Sequence, residues 1–234
     1  MATLYVIGTP IGNLEDVTLR AIRILKEVDC ILCEDTRMTK RLLVRYEIKD
    51  KKLTTYNERK SGINTNKVIK LLEEGKNLAL VSDAGTPGIS DPGSFLVSQV
   101  REYFSKESVE ELEVKIITIP GPSALTAAVS IAGGSVQDFA FLGFLPHKKG
   151  RETLFKEIAE AKRAVVFYES PHRIMKTLQS LKKYIPERKI SIARELTKIH
   201  EEFISGTAEE LLEYFSKNKD KVRGEFVVIV GGKV

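Results

Sequence analysis

Apolar and polar positions change period repeatedly along this 234-residue chain, and those changes mark its elements. Thr3–Thr9 is a short β-prone apolar run, after which Val17, Ala21, Ile24 and Leu25 recur at helical spacing across Asp16–Glu27. Cys30–Cys33 reads as a buried strand, the segment from Arg37 to Arg45 as a helix, and Lys52–Tyr56 as a further strand. A helix near Asn64–Glu74 stops at Gly75, and Asn77–Val81, Ser94–Phe104 and Glu113–Ile119 then alternate strand, helix, strand. Repeated strand–helix units of this kind predict a parallel sheet with helices on both faces.

Pro120-Gly121-Pro122 breaks that rhythm and marks the expected domain boundary, giving an N-terminal domain of residues 1–119 and a C-terminal domain of residues 120–234. In the second half, Phe139–Leu145, Ala164–Tyr168, Lys189–Arg194, Glu202–Gly206 and Glu225–Val230 read as strands. Helices are expected over Arg151–Lys162, Pro171–Tyr184 and about Ala208–Ser216. Several strands follow one another closely, which predicts a mixed sheet. The fold class is therefore α/β, with a parallel-sheet first domain and a mixed-sheet second one.

Composition changes this picture little. Hydrophobic residues at 42% and charged residues at 29% suit a folded globular protein. No apolar run approaches the roughly 18 residues that cross a bilayer, and Met1–Gly8 reads as a strand rather than a leader, so a cytoplasmic protein with no membrane partner is expected. Cys30 and Cys33 form a C-x-x-C, but three-residue spacing in a strand sends the sulfurs to opposite faces. No second Cys or His pair completes a metal site, so two buried thiols and no metal are expected.

Charge adds more. The formal net charge is +5, and residues 1–120 balance 18 basic against 18 acidic side chains, so the excess lies in the second half. Locally, Arg37–Lys60 carries nine basic residues against Glu47, Asp50 and Glu58. Arg37, Lys40, Arg41 and Arg45 share one helical face, with Met38, Leu42 and Tyr46 on the other. Such a stripe is either a solvated face or, directly after a strand end, a surface for a polyanion such as RNA.

Four Gly/Pro-rich segments follow predicted strands: Gly8–Asn13, Ser82–Gly93, Pro120–Ala124 and Gly143–Pro146. Ligands of open α/β sheets bind outside the carboxyl ends of the strands, so these loops are candidates for one cleft. The first lacks G-x-G-x-x-G and the phosphate-cradling G-x-x-x-x-G-K-[ST], which disfavours dinucleotide and nucleoside triphosphate chemistry. The second, S-D-A-G-T-P-G-I-S-D-P-G, is longer than a strand-to-helix joint requires. Asp83 there can accept from a ligand's amine or hydroxyl groups, while Ser90 and Asp91 can cap the next helix. Its Gly88–Gly93 stretch has one residue too many for the G-x-S-x-G elbow of a serine hydrolase. Tyr168-Glu169-Ser170-Pro171-His172-Arg173 and Ala193-Arg194-Glu195-Leu196-Thr197-Lys198 gather charged side chains at two strand ends of the second half. They suit either substrate contact or ion pairs within the fold.

Together Gly8–Asn13, Ser82–Gly93, Pro120–Ala124, Glu169–Arg173 and Arg194–Lys198 resemble the tetrapyrrole methylase superfamily. They are most similar to its ribosomal branch, the small-subunit rRNA (cytidine-2'-O-) methyltransferases, which S-D-A-G-T-P-G-I-S-D-P-G and E-S-P-H-R distinguish from members with a shorter G-D-P loop. The resemblance implies a two-domain fold, a homodimer, and S-adenosylmethionine held in the cleft between the domains. It implies donor contacts from Pro10, Asp83, Gly85, Thr86, Pro87, Pro120, Gly121, Ser123 and Ala124, and from Tyr168, Ala193 and Gly224 or Glu225 in the second domain. The implied substrate is 16S rRNA, within the small ribosomal subunit. Glu169 and Glu195 are then the candidate bases, and Arg37, Lys40, Arg41, Arg45, Arg173 and Arg194 the candidate RNA contacts. Asn57-Glu58-Arg59-Lys60 stands where that family has a His-bearing H-N-E motif, so Glu58 receives no role.

Overall fold

Five short strands, β1 (Ala2–Ile7), β2 (Cys30–Cys33), β3 (Lys52–Thr55), β4 (Leu78–Val81) and β5 (Val114–Ile119), pair in the order β3-β2-β4-β1-β5. Every pairing is parallel, as the strand–helix alternation predicts. This computed structural model describes residues 1–56, 61–105, 113–134 and 136–233, and the chain divides into units 1–123 and 124–234. Asn57–Lys60, with Glu58, lies outside the described residues.

Alternation along the strands builds two cores in the first unit. Ile7, Ile31, Cys33, Ala79, Val81 and Ile119 face α1 (Leu19–Glu27) and α2 (Thr36–Arg45), whose Ala21, Ile24, Leu25, Leu42 and Leu43 pack on them. Leu4, Cys30, Leu32, Leu78 and Leu80 face α3 (Ser61–Glu73) and α4 (Ser94–Phe104) through Val68, Leu72, Leu96 and Val100. Fully burying each large aliphatic chain contributes about 1.5–3 kcal/mol. Cys30 and Cys33 thus belong to opposite faces, both buried and free, and burial pushes the Cys33 thiol up.

Two local expectations change. The helix after Asp16 begins at Leu19, because Thr18 caps it by accepting from the Ala21 N–H at 3.1 Å, and Leu14–Asp16 is a separate 3-10 turn. The N-cap position of α4 is held by Gly93, with φ 139°, and not by Ser90 or Asp91.

The second unit holds β6 (Phe139–Phe144), β7 (Ala164–Glu169), β8 (Ile190–Arg194), β9 (Glu202–Gly206) and β10 (Phe226–Val230), in the order β6-β7-β10-β8-β9. Only β6–β7 is parallel, so the sheet is mixed, as expected. One face carries α6 (Arg151–Glu160), α7 (Ile174–Tyr184) and α8 (Ala208–Lys217), whose Phe155, Leu178, Leu181, Leu211 and Phe215 cover Phe167, Ile192 and Val228. α5 (Ala124–Ala132) packs against β10. The sequence pattern does not predict that helix: ALTAAVSIA is apolar nearly all round and lacks the polar stripe that marks a surface helix. Among the described residues no helix is long and apolar enough to cross a membrane.

Candidate functional site

Register brings three of the Gly/Pro-rich loops side by side. Ile7 of β1 pairs with Val81 of β4 on one side and Ile119 of β5 on the other. Gly8, Ser82 and Pro120 therefore leave the sheet at one level, at its carboxyl edge.

Backbone contacts then lock these loops together. A Cβ on Gly8 would meet the Gly121 Cα at 2.8 Å, so the first and third loops touch main chain to main chain. Thr9 and Gly85 exchange both backbone hydrogen bonds, at 2.8 and 3.0 Å, joining the first loop to the second. The Thr9 hydroxyl also donates to the Ser82 carbonyl at 3.2 Å, and the Thr86 hydroxyl to the Pro122 carbonyl at 3.1 Å. Positive φ at Gly85, Gly88 and Ser90 bends the long loop back on itself. Pro10, Gly85 and Pro87 are buried, Thr86 and Gly121 half-buried, Ser123 buried, and Pro120 exposed.

Asp83 stands exposed at the end of β4, and its Oδ1 accepts from the Asp35 N–H at 3.0 Å. Asp35 in turn caps α2, accepting from the Arg37 N–H at 2.8 Å, and pairs with the Arg37 guanidinium at 2.6 Å. That hydrogen-bonded guanidinium holds the Asp35 carboxyl at about 2. Beyond Asp35, Arg37, Lys40, Arg41 and Arg45 are exposed along α2. Met38 shares that exposure, at 40%, and the buried face consists of Thr39, Leu42 and Leu43. Met38 is therefore not a core position.

In the second unit the ends of β6, β7 and β8 and the starts of β9 and β10 share one edge, which follows from the strand directions. Lys198 bridges two carboxylates there, Glu195 Oε1 at 2.8 Å and Glu225 Oε2 at 2.9 Å. Glu195 Oε1 also accepts from the Glu225 N–H at 3.0 Å. Burial pushes the Glu195 carboxyl up, but these partners and the nearby cations outweigh it and hold the group below the usual carboxylate range. Gly224 makes room for it: a Cβ there would lie 2.4 Å from the Glu195 side chain. Glu195 and Thr197 both adopt positive φ, 51° and 66°, and the Thr197 hydroxyl is buried with no partner among the described residues. Strain of that kind gathers at functional segments.

Other expected site residues have different tasks. Glu169 has no exposed side-chain surface, and both oxygens are engaged: Oε1 by the Ser170 N–H at 2.9 Å and Arg173 at 3.1 Å, Oε2 by the Thr177 hydroxyl at 2.5 Å. A substrate proton cannot reach it in this arrangement, so the structure places it as a buried anchor rather than a base. Arg173, expected at RNA, pairs with Glu169 and donates to the Leu145 carbonyl at 2.5 Å. Arg194, also expected at RNA, is buried, paired with Glu202 at 3.4 Å and bonded to the carbonyls of His200 and Arg223. Both guanidinium groups are committed within the unit. Ala193 is a central β8 residue, 1% exposed and flanked by Val227 and Phe203. Tyr168 lies edge-on to Phe141 and Phe144, and its hydroxyl accepts from the Leu125 N–H at 3.2 Å.

The sequence pattern gives no sign of Thr9, Asp35, Arg151, Thr177 or the bridging role of Lys198. Each has at least one partner 26 or more residues away along the chain, where no periodicity points. Among the described residues no group of three His, Cys, Asp or Glu side chains gathers as a metal site.

Among known proteins, the family model of the tetrapyrrole (corrin/porphyrin) methylases matches residues 3–212. The chain is 47% identical over 233 residues to the ribosomal RNA small subunit methyltransferase I of Thermotoga maritima, covering all of both chains. It is 41% identical to the protein of that name in Bacillus subtilis, over 99% of this chain and 76% of that one. Among solved structures it resembles methyltransferase CobJ, with a TM-score of 0.69 and 21% identity over 99% of this chain and 95% of that one. Diphthine synthase gives a TM-score of 0.68 at 14% identity, over 100% and 91%. These two likenesses establish the fold.

Proposed function

The chain belongs to the tetrapyrrole (corrin/porphyrin) methylase family, and from that premise we propose that it methylates the 2'-hydroxyl of a cytidine ribose in small-subunit (16S) rRNA, using S-adenosylmethionine. Full-length relatives at 41–47% identity that bear the name ribosomal RNA small subunit methyltransferase I support the substrate class. The observation that carries the reading is the locked edge of β4, β1 and β5 with the exposed basic face of α2 beginning at Asp35 beside it.

The residues present fit the donor. Main chain without bulky side chains lets a ligand approach N–H and C=O groups, and the close packing of Gly8 on Gly121 fixes those groups in advance. Asp83 Oδ1 is fixed by Asp35, leaving Oδ2 for a hydroxyl or an ammonium group. Pro10, Gly85, Thr86, Pro87, Pro120, Gly121, Ser123 and Ala124 shape the loops around it. Tyr168, Ala193, Gly224 and Glu225 are the contacts proposed from the second unit. S-adenosylmethionine, when bound, supplies an electrophilic methyl group on a sulfonium.

Glu195 is the remaining carboxylate for the acceptor's proton. Its Oε1 is occupied by Lys198 and the Glu225 N–H, and its Oε2 has no partner among the described residues. A carboxylate held below its usual range is a weak base, suited to an oxygen that methylation has already made acidic. Arg37, Lys40, Arg41 and Arg45 neutralise phosphates, which dominates RNA affinity and makes it salt-sensitive. A homodimer acting on the small ribosomal subunit in the cytoplasm completes the proposal.

The test follows label from tritiated S-adenosylmethionine. Small subunits lacking the modification should accept it, and alkali-resistant linkages should map it to a ribose. Label entering a porphyrin precursor and not the subunits would refute the reading.

A further inference from the structure

The E-S-P-H-R segment has no part in the chemistry described above, yet it anchors an arrangement that reaches the surface. Buried Glu169 holds two guanidinium groups, with Arg173 Nε at 3.1 Å and an Arg151 terminal nitrogen at 3.9 Å. Each guanidinium also donates to a main-chain carbonyl just past β6, Arg173 to Leu145 at 2.5 Å and Arg151 to Pro146 at 3.1 Å. Thr177 closes the network, donating to Glu169 Oε2 at 2.5 Å and accepting from Arg151 at 2.7 Å. Charge-assisted bonds of this kind are the strong ones, so residues 145 and 146 are clamped from below.

Beyond the clamp lies a short exposed turn, His147-Lys148-Lys149-Gly150. The Arg151 N–H donates to the Lys148 carbonyl at 3.2 Å, and Gly150 takes φ 79° to lead into α6. An Arg173 terminal nitrogen lies 3.4 Å from His147 Nε2. Neither Lys148 nor Lys149 has an ion-pair partner among the described residues, which is equally true of Lys156, Lys162, Lys176, Lys189 and Lys219 in the same unit; what distinguishes the two is the turn that carries them, fixed at its base by Arg151 and Arg173. Two uncompensated cations on a turn fixed at its base fit a polyanion, because part of the ordering that binding requires is already done.

We propose that the Glu169–Arg173–Arg151 clamp presents His147, Lys148 and Lys149 as a phosphate-contacting element for the RNA substrate. This rests on the rRNA reading above and adds a second RNA surface to that of α2. Lys148 and Lys149 touch the RNA; Glu169, Arg151 and Arg173 are positioning residues.

Reversing both lysines, Lys148→Glu with Lys149→Glu, should raise KM for small-subunit substrate at least tenfold, while kcat and S-adenosylmethionine affinity stay within about twofold. The slope of log affinity against log salt should fall by about 1.4, two contacts at roughly 0.7 each for a single strand. Arg173→Met should raise the same KM in the wild-type background and add little in the reversed-lysine background, since it acts through the turn. An unchanged KM and salt slope in the lysine variant, or fully additive effects of Arg173→Met, would overturn the proposal while an active wild type leaves the rRNA reading standing. A wild-type protein that binds S-adenosylmethionine but neither binds nor methylates small-subunit RNA would overturn both.

Discussion

A Cβ on Gly121 would stand 2.7 Å from the carbonyl oxygen of Gly8, although 112 residues of chain separate the two. Neither position tolerates a side chain without moving a loop that leaves the sheet beside it. Gly8→Ala or Gly121→Ala should cost about 1–3 kcal/mol as overpacking, a fall in Tm of roughly 2–12 °C. Donor affinity should fall as well, because the displaced backbone belongs to the loops proposed to hold the donor. Calorimetry with S-adenosylmethionine and a melting curve read the two effects, and an unperturbed affinity would separate this contact from the donor site.

Asp83 is the second point of control. Its Oδ1 is committed to the Asp35 N–H, and Oδ2 has no partner among the described residues. Asp83→Ala should weaken S-adenosylmethionine by about 1.5–3 kcal/mol, tenfold or more, as expected for a hydrogen bond to a charged group. Tm should change little, since the side chain is exposed. Unchanged donor affinity removes Asp83 from the site.

Much of this arrangement is legible from pattern. A short, wholly apolar run gives β2 as a buried strand, and the parity of Cys30 and Cys33 correctly sends their sulfurs to separate cores. The Gly/Pro runs locate the loops, and strand–helix alternation places three of them at one sheet edge. Tertiary partners are not legible. Glu169 and Arg194 stand at strand ends beside opposite charges, a pattern shared by catalytic groups and by internal ion pairs. Burial decides between those roles, and burial depends on how α6, α7 and the start of β10 pack. α5 escapes for the opposite reason, since a helix apolar on every side carries no period.

The α2 surface gives an electrostatic prediction. Arg41→Glu with Arg45→Glu should lower RNA affinity and reduce its salt dependence, while S-adenosylmethionine binding is unaffected. Filter binding at several salt concentrations reads this, and equal RNA affinity would assign the stripe to solvent.

Asp35 titrates at about 2, chiefly because the Arg37 guanidinium hydrogen-bonds to it. Its folded value lies below the unfolded one, so its contribution to stability is complete above about pH 4 and disappears as pH falls towards 2. Arg37→Gln should move the Asp35 midpoint up towards the ordinary carboxylate range. A carboxyl-detected NMR titration of both proteins checks the shift, and an unmoved midpoint would give the depression another cause.

Glu169 and Glu195 offer the sharpest contrast, because both are candidate bases by sequence and their surroundings distinguish them. Glu169 is fully buried and balances Arg151 and Arg173, so Glu169→Ala leaves two guanidinium groups without their counter-charge. Breaking a buried pair in this way costs about 3–5 kcal/mol, and Tm should fall by roughly 6–20 °C. Glu195 keeps Oε2 without a partner among the described residues, and Lys198 remains paired with Glu225 when Glu195 is changed. Glu195→Gln should therefore lower kcat by about 10²–10⁴-fold, the usual reach of a general base, with a much smaller change in Tm. Single-turnover methyl transfer alongside melting curves measures both. A Glu169→Gln protein of normal Tm and abolished turnover, beside a fully active Glu195→Gln protein, would return the base to β7.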